Sequence, residues 1–407
     1  MSRSASSRRP ALRGLFTRGV GLLFGLILAG ALIVGLQVPL LHPRSNAHVL
    51  LETISSNGPS STLAWPSIGS AAVDIPALGV LVAHHNEVVP IASLTKMMTA
   101  YVALQRLPLQ IGETGPCHVV DYDDVVTYQL MQGMDESSVP VVLGEQLCEI
   151  DLLNGVLVHS AGNYAVMLAN MVAGSNEAFI AEMNEEALAL RLTGTHYADV
   201  TGYSPQSVST ALGQARLATL LMESPLVRSI VIQLSVTLPV AGTVASYTPY
   251  VGVDNVIGVK SGRTAQAGGC DVMAMTFQDG SSTRVVYAVV LGQQGGNLLG
   301  PAGDAALALA NSAVASRVNY NFYKNEVVGD ISWGTRRVPF GLTSSHEIWW
   351  WPAQGAPRVN AVVRSFTSKI HRGELVGVLR VDGFADHTFT LRAFGDLAPP
   401  TLLQRLR

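Results

Sequence analysis

Apolar and polar positions along this chain follow different rhythms in different stretches. Residues 19–41 form an uncharged, almost wholly apolar run, long enough to cross a bilayer as a helix. Residues 42–68 turn polar, with Ser55-Ser56-Asn57-Gly58-Pro59-Ser60-Ser61, the composition of a linker. Two β-like runs follow between Ala71 and Val89, around His84-His85-Asn86. The spacing then becomes helical. A helix is expected to begin at Ser93 and to run through the apolar stretch Met97–Leu104. Residues 112–143 read as polar and irregular, carrying Asp121, Asp123, Asp124, Asp135 and Glu136. Helices are expected over 144–157, 164–172, 177–192 and 211–222, the last stopped near Pro225. Strand patterns return at 255–260, 271–277 and 284–290, the last two flanking Asp279-Gly280 as a hairpin. Residues 302–317 read as helix. Beyond about Asn325 only short strands are expected, such as the alternating His387–Ala393.

Helices in the middle of the chain with strands on either side predict a mixed α/β domain with an antiparallel sheet over residues 69–320. A small all-β domain is expected over 325–400. Trp349-Trp350-Trp351-Pro352 falls in it; one or two of these rings are expected in the core, with a sugar- or membrane-facing platform as the alternative.

Charge adds compartment to this picture. Arg3, Arg8, Arg9, Arg13 and Arg18 precede the apolar run, so residues 1–18 are expected to stay in the cytoplasm and 19–41 to act as a transmembrane signal-anchor. A cleaved signal peptide is the alternative, leaving a secreted product. Either way the rest of the chain lies outside the cytoplasmic membrane. Only 14% of residues are charged and the formal net charge is −3, which argues against a nucleic-acid surface. The three cysteines, Cys117, Cys148 and Cys270, fit no zinc spacing. Cys117 and Cys148 are free to pair in an oxidising compartment, or all three are buried thiols. No metal or cofactor is assigned.

The chemistry sits in Pro90-Ile91-Ala92-Ser93-Leu94-Thr95-Lys96. Positions i and i+3 share one face of a helix, which brings the Lys96 amine within reach of the Ser93 hydroxyl. Serine needs a base to become a nucleophile, and lysine can be that base if burial or nearby positive charge lowers its pKa. A serine at a helix start is otherwise a plain N-cap. The chain holds only four lysines among 26 basic residues, so a lysine here stands out for work that arginine cannot do. A second lysine lies in Val259-Lys260-Ser261-Gly262, where a glycine permits close approach of a substrate backbone. Ser-x-x-Lys and Lys-Ser-Gly belong to one set of serine enzymes that use a lysine partner. His159-Ser160-Ala161-Gly162-Asn163 lies between them, where the set has a Ser-x-Asn.

With these motifs in order, the chain resembles the D-alanyl-D-alanine carboxypeptidases, the low-molecular-mass penicillin-binding proteins, over roughly Gly69 to Ser316. The resemblance also rests on Thr195–Gly202 and Val256–Gly269. It implies a β-lactamase/transpeptidase-like fold with a β-rich second domain. It further implies an extracytoplasmic enzyme that removes the terminal D-alanine from peptidoglycan stem peptides and is acylated by β-lactams. By position, Ser93 is then the nucleophile, Lys96 its base and Ser160 the group passing a proton to the leaving amine. Lys260, Ser261, Gly262 and Arg263 are then substrate-binding, and the backbone N–H groups of Ser93 and Arg263 form an oxyanion hole. One departure stands out. Without a gap Gly162 takes the family's Asn position; a one-residue shift puts Asn163 there and Ala161 at the serine position. The alternative readings are a catalytically weak, membrane-tethered scaffold that binds penicillin or peptidoglycan, and a β-lactamase, for which no deacylating Glu motif is found.

Overall fold

The computed structural model describes residues 46–49, 62–134, 136–351, 358–382 and 387–399. The expected cytoplasmic segment, the transmembrane run 19–41, Asp135 and most of the 42–68 linker lie outside the described residues. Among the described residues no helix is long and apolar enough to cross a membrane.

The chain divides into two compact units. The larger takes the described part of residues 56–319 and 349–356 and is built on a five-stranded antiparallel sheet. Its strand order is Val256–Thr264, Gly268–Asp279, Ser282–Gln293, Ser70–Ile75, Val80–His84. Side chains alternate faces along a strand, and both faces here are covered. Cys270, Val272, Ala274, Tyr287, Val289 and Leu291 belong to the main core, shared with the helical region. Met273, Val286, Ala288 and Val290 are buried outside that core, where the helix Leu299–Ala315 packs on these strands. Burial on both faces is why the runs Val272–Phe277 and Val285–Leu291 read as nearly continuous apolar sequence. The two long strands join in a tight hairpin with Asp279 opposite Ser282; Gly280 takes φ +59° there, a conformation that costs glycine little.

The helical region comprises Thr95–Arg106, Tyr122–Gly133, Glu149–Leu157, Gly162–Ala173, Asn176–Ala189, Ala211–Leu221 and Pro225–Val231. Three expectations need correction here. The first helix does not begin at Ser93: Ala92–Leu94 form a 3-10 turn and α-helix starts at Thr95. The polar stretch 112–143 contains a full helix, whose N-terminus is held by a reciprocal cap: Asp121 accepts from the Asp124 amide and Asp124 from the Asp121 amide. Residues 146–148 are a strand paired with Cys117–Val119, which also pairs Cys117 with Cys148 in a disulfide; the helix starts only at Glu149. The helix Ala211–Leu221 ends short of Pro225 as expected, and Pro225 opens the next one. It has no N–H to waste at the first helical position, and Ser224 caps the Val227 amide.

The smaller unit takes residues 46–49, 320–348 and the described part of 357–407. Its sheet runs Asn46–Val49, Val327–Trp333, Arg336–Leu342, Thr388–Ala393, Leu375–Asp382, Arg358–Val363. Asn46–Val49, expected as linker, is thus an edge strand on Val327–Trp333. The tryptophans are also reassigned. Trp351 is buried and its Nε1 donates to the Ala313 carbonyl, and the Arg317 guanidinium lies over the Trp349 and Phe277 rings. The rings 349 and 351 therefore serve the larger unit.

Candidate active site

Two buried lysines lie at the centre of the larger unit. Lys96 is 0% exposed. Its Nζ lies 3.1 Å from Ser93 Oγ and donates to the Thr201 carbonyl at 2.8 Å. Burial pulls its pKa down from the usual lysine range to about 8, against the opposing charges of Glu136 and Asp199. Near neutral pH a useful share of Lys96 is therefore free amine. A neutral lysine at this distance can accept the Ser93 proton.

Ser93 is held from two sides. A Cβ on Gly262 would lie 2.6 Å from the Ser93 amide nitrogen. A Cβ on Gly202, whose φ is +81°, would collide with the Ala92 carbonyl oxygen at 1.8 Å. Only glycine lets the strand and the 199–207 loop press this close. That loop is knitted by Asp199, which accepts from the Ser207 and Thr201 hydroxyls and the Ser204 amide.

Lys260 is also fully buried. Its Nζ donates to the Ser261 carbonyl at 2.7 Å. Burial first, then the charge of Lys96, pushes its pKa well below normal, opposed by Asp271. Lys96 is thus lowered by its own burial, and Lys260 is driven toward the neutral form as well.

Above the lysines opens a cleft of about 720 Å³, lined by Ser93, Ser160, Ser261, Gly262 and Arg263, with Glu136, Tyr247 and others. The structure thus gathers five of the eight expected residues on one surface, with Lys96 and Lys260 buried close by. Ser160 has φ +63°, is 3% exposed, and its Oγ has no hydrogen-bond partner among the described residues. A hydroxyl held in that way is ready for an incoming group. The Ser261 hydroxyl donates to the Tyr247 carbonyl at 2.8 Å.

Asn163 does not join them. It is 0% exposed, and its amide is spent on Val139: Oδ1 accepts from the Val139 amide at 3.1 Å and Nδ2 donates to its carbonyl at 2.9 Å. The placement of Ser160 in the cleft and of Asn163 away from it favours the gap-free alignment, with Gly162 at the third motif position. Sequence reasoning assigned no role to Thr201, Asp199 or Glu136, which lie 105, 103 and 40 residues from Lys96; only the departure at Gly162 hinted that something else fills that space.

Acylation that depends on neutral Lys96 should rise through pH 8 and level off above it. A lowered lysine pKa means the reactive form is already dominant at pH 9, whereas an ordinary lysine would still be titrating above pH 10. The pH dependence of the second-order acylation rate by a penicillin reads this directly; a midpoint near 10 would contradict the buried-base assignment.

Residues 71–295 match the sequence profile of the D-alanyl-D-alanine carboxypeptidase family. A D-alanyl-D-alanine endopeptidase of Escherichia coli is 29% identical over 240 residues, 54% of this chain and 72% of that protein. D-alanyl-D-alanine carboxypeptidase DacC of the same organism is 37% identical over 133 residues, where the chain spans only 33% of the relative. Among solved structures, penicillin binding protein 6B from Escherichia coli superposes with a TM-score of 0.59 at 21% identity, covering 86% of this chain and 100% of that one. The Streptomyces K15 DD-transpeptidase gives 0.51 at 18% identity, over 64% of this chain and 100% of that one. At such identities the structural likeness speaks for the fold, a penicillin-binding, transpeptidase-like architecture.

Proposed function

Since this chain belongs to the D-alanyl-D-alanine carboxypeptidase family, we propose that it cleaves the terminal D-alanine from peptidoglycan stem peptides through an acyl-enzyme on Ser93. One observation carries the assignment of the chemistry to these residues: a fully buried Lys96 amine, with a pKa near 8, 3.1 Å from the Ser93 hydroxyl. Neutral Lys96 takes the Oγ proton as Oγ attacks the carbonyl carbon of the last peptide bond. The oxyanion that forms is met by the backbone N–H groups of Ser93 and Arg263. The proton is delivered to the leaving D-alanine nitrogen by way of Ser160, and the C–N bond breaks. Water then hydrolyses the ester and restores Ser93. Lys260, Ser261 and Gly262 hold the peptide, and the Arg263 guanidinium serves its terminal carboxylate. β-Lactams acylate the same hydroxyl. None of these steps calls for a metal or cofactor.

Release of D-alanine from a pentapeptide, measured by chromatography, tests this activity. Steady release supports it; an intact peptide in a sample that is labelled by penicillin would leave a penicillin-binding scaffold instead. The endopeptidase relative, matched over 72% of its length, favours a second substrate form, cross-linked peptides, which the same assay reads on a cross-linked dimer.

We place the larger unit outside the cytoplasmic membrane, anchored by residues 19–41. The arginines ahead of that run support this orientation, and the Cys117–Cys148 disulfide suits an oxidising compartment. After high-salt washing the protein should stay with the membranes. A soluble product starting beyond residue 41 would mean a cleaved signal.

A further inference from the structure

Gly162 leaves out a side chain beside Ser160, and the carboxylate of Glu136 occupies the room. A Cβ on Gly162 would lie 2.7 Å from Glu136 Oε1, 3.1 Å from Met131 Sδ and 3.2 Å from the Ser137 carbonyl oxygen. The loop that carries Glu136 is tied at both sides: the Glu136 amide donates to the Met131 carbonyl at 3.0 Å, and the Gly162 amide to the Ser137 carbonyl at 2.7 Å. Any residue larger than glycine at 162 would push this carboxylate away.

Glu136 is half-buried and lines both the main cleft and the adjoining groove, each of which includes Ser93. Its Oε1 is buried and has no hydrogen-bond partner among the described residues. Capping the helix Gly162–Ala173 would explain the position structurally, since a carboxylate suits a helix N-terminus. Capping requires hydrogen bonds from first-turn amides, and Oε1 accepts none. A buried carboxylate oxygen left without a donor is costly, and a ligand that brings a donor removes the cost.

The charges in the cleft indicate which donor. Among the described lining residues there is one carboxylate, Glu136, and one guanidinium, Arg263. A carboxylate repels the terminal carboxylate of the leaving D-alanine. Glu136 therefore serves the acyl part of the substrate. There the opposite charge that a stem peptide can offer is a free side-chain amine, on the residue ahead of the two D-alanines. The carboxylate is also electrically close to the base, since its charge helps Lys96 keep a proton.

We propose that Glu136, seated in the space left by Gly162, is a specificity-determining residue that receives a protonated side-chain amine on the acyl part of the peptide. This rests on the peptide substrate proposed above. The preference is thus for peptides whose amine is free over those in which it is acylated.

Two peptides test it: Nα-acetyl-L-lysyl-D-alanyl-D-alanine with a free ε-amine, and the same peptide acetylated there. Each competes with labelling of the full chain by a fluorescent penicillin at pH 7.5. The free-amine peptide should protect at roughly ten- to a hundredfold lower concentration, the range for one hydrogen bond to a charged group. In Glu136→Gln, which keeps shape and removes charge, both should compete alike. Equal competition in the wild type, competition by neither peptide, or an advantage that survives Glu136→Gln overturns the role of Glu136 while labelling still upholds the family chemistry. A wild-type protein that takes no label overturns that chemistry, and the Glu136 proposal with it.

Discussion

Ser93→Ala is expected to take no covalent label from a penicillin and to release no D-alanine above background. The ester that carries the reaction needs an oxygen at this position, and none of the hydroxyls around it can replace that oxygen. Ser160 Oγ lies in the cleft, but among the described residues the lysine amine within hydrogen-bond reach of a serine hydroxyl is Lys96, against Ser93. The fold should survive. Lys96 keeps its bond to the Thr201 carbonyl, and alanine at a half-buried turn leaves the two glycine contacts in place. An unfolding midpoint close to wild type with no adduct is the expected pair of results. A Ser93→Ala protein that still takes label would place the nucleophile elsewhere.

Lys96→Arg is expected to slow acylation by about 10²–10⁴-fold, the usual cost of losing a general base, or about 3–5 kcal/mol in the barrier. Arginine keeps the positive charge and most of the bulk, but its guanidinium does not give up a proton in proteins. The variant therefore separates charge from basicity. Lys96 has no exposed surface, so the larger head must be fitted into a closed space, and the unfolding midpoint has to be read beside the rate. The pH profile provides the second readout. The wild-type rise through pH 8 should disappear, since the group that titrates there is gone. Near wild-type acylation in folded Lys96→Arg would mean that another group takes the Ser93 proton.

Local sequence carried the parts of this protein that local physics decides. The hairpin at Asp279–Ser282 was legible because a glycine turn separates two apolar runs. Ser93 and Lys96 were legible because they sit three residues apart, and the structure keeps them in contact even though a 3-10 turn, rather than α-helix, holds the serine. The helix Tyr122–Gly133 was missed for a reason visible in its composition: it buries little, so its apolar spacing is weak. The Asp121–Asp124 reciprocal cap was the signal to use. Pro225 marked the limit of the helix before it, and the serine directly ahead of it also signals the start of the next. The strand Gln146–Cys148 owes its form to pairing with Cys117–Val119 across 31 residues, which no window shows.

In the site, everything that depends on direction at a helix start, or on distant contacts, was out of reach. One residue turns a side chain by about 100° around a helix, so the sequence could not say whether Asn163 turns toward the cleft or into the core. The Val139 backbone settles it by engaging the Asn163 amide. Glu136 is in reach of Gly162 only because the loop between Gly133 and Val139 folds over the helix start. The same holds for Thr201 and Lys96. The distance between Lys260 and Lys96 along the chain likewise hid that burial pushes both toward the neutral form.

The most direct test of the central claim is the position of the adduct. Wild-type protein incubated with benzylpenicillin, digested and read by mass spectrometry should carry one penicilloyl group, on the peptide that contains Ser93. An adduct on any other residue, or none at millimolar drug, would contradict the assignment of Ser93 as the nucleophile of this site.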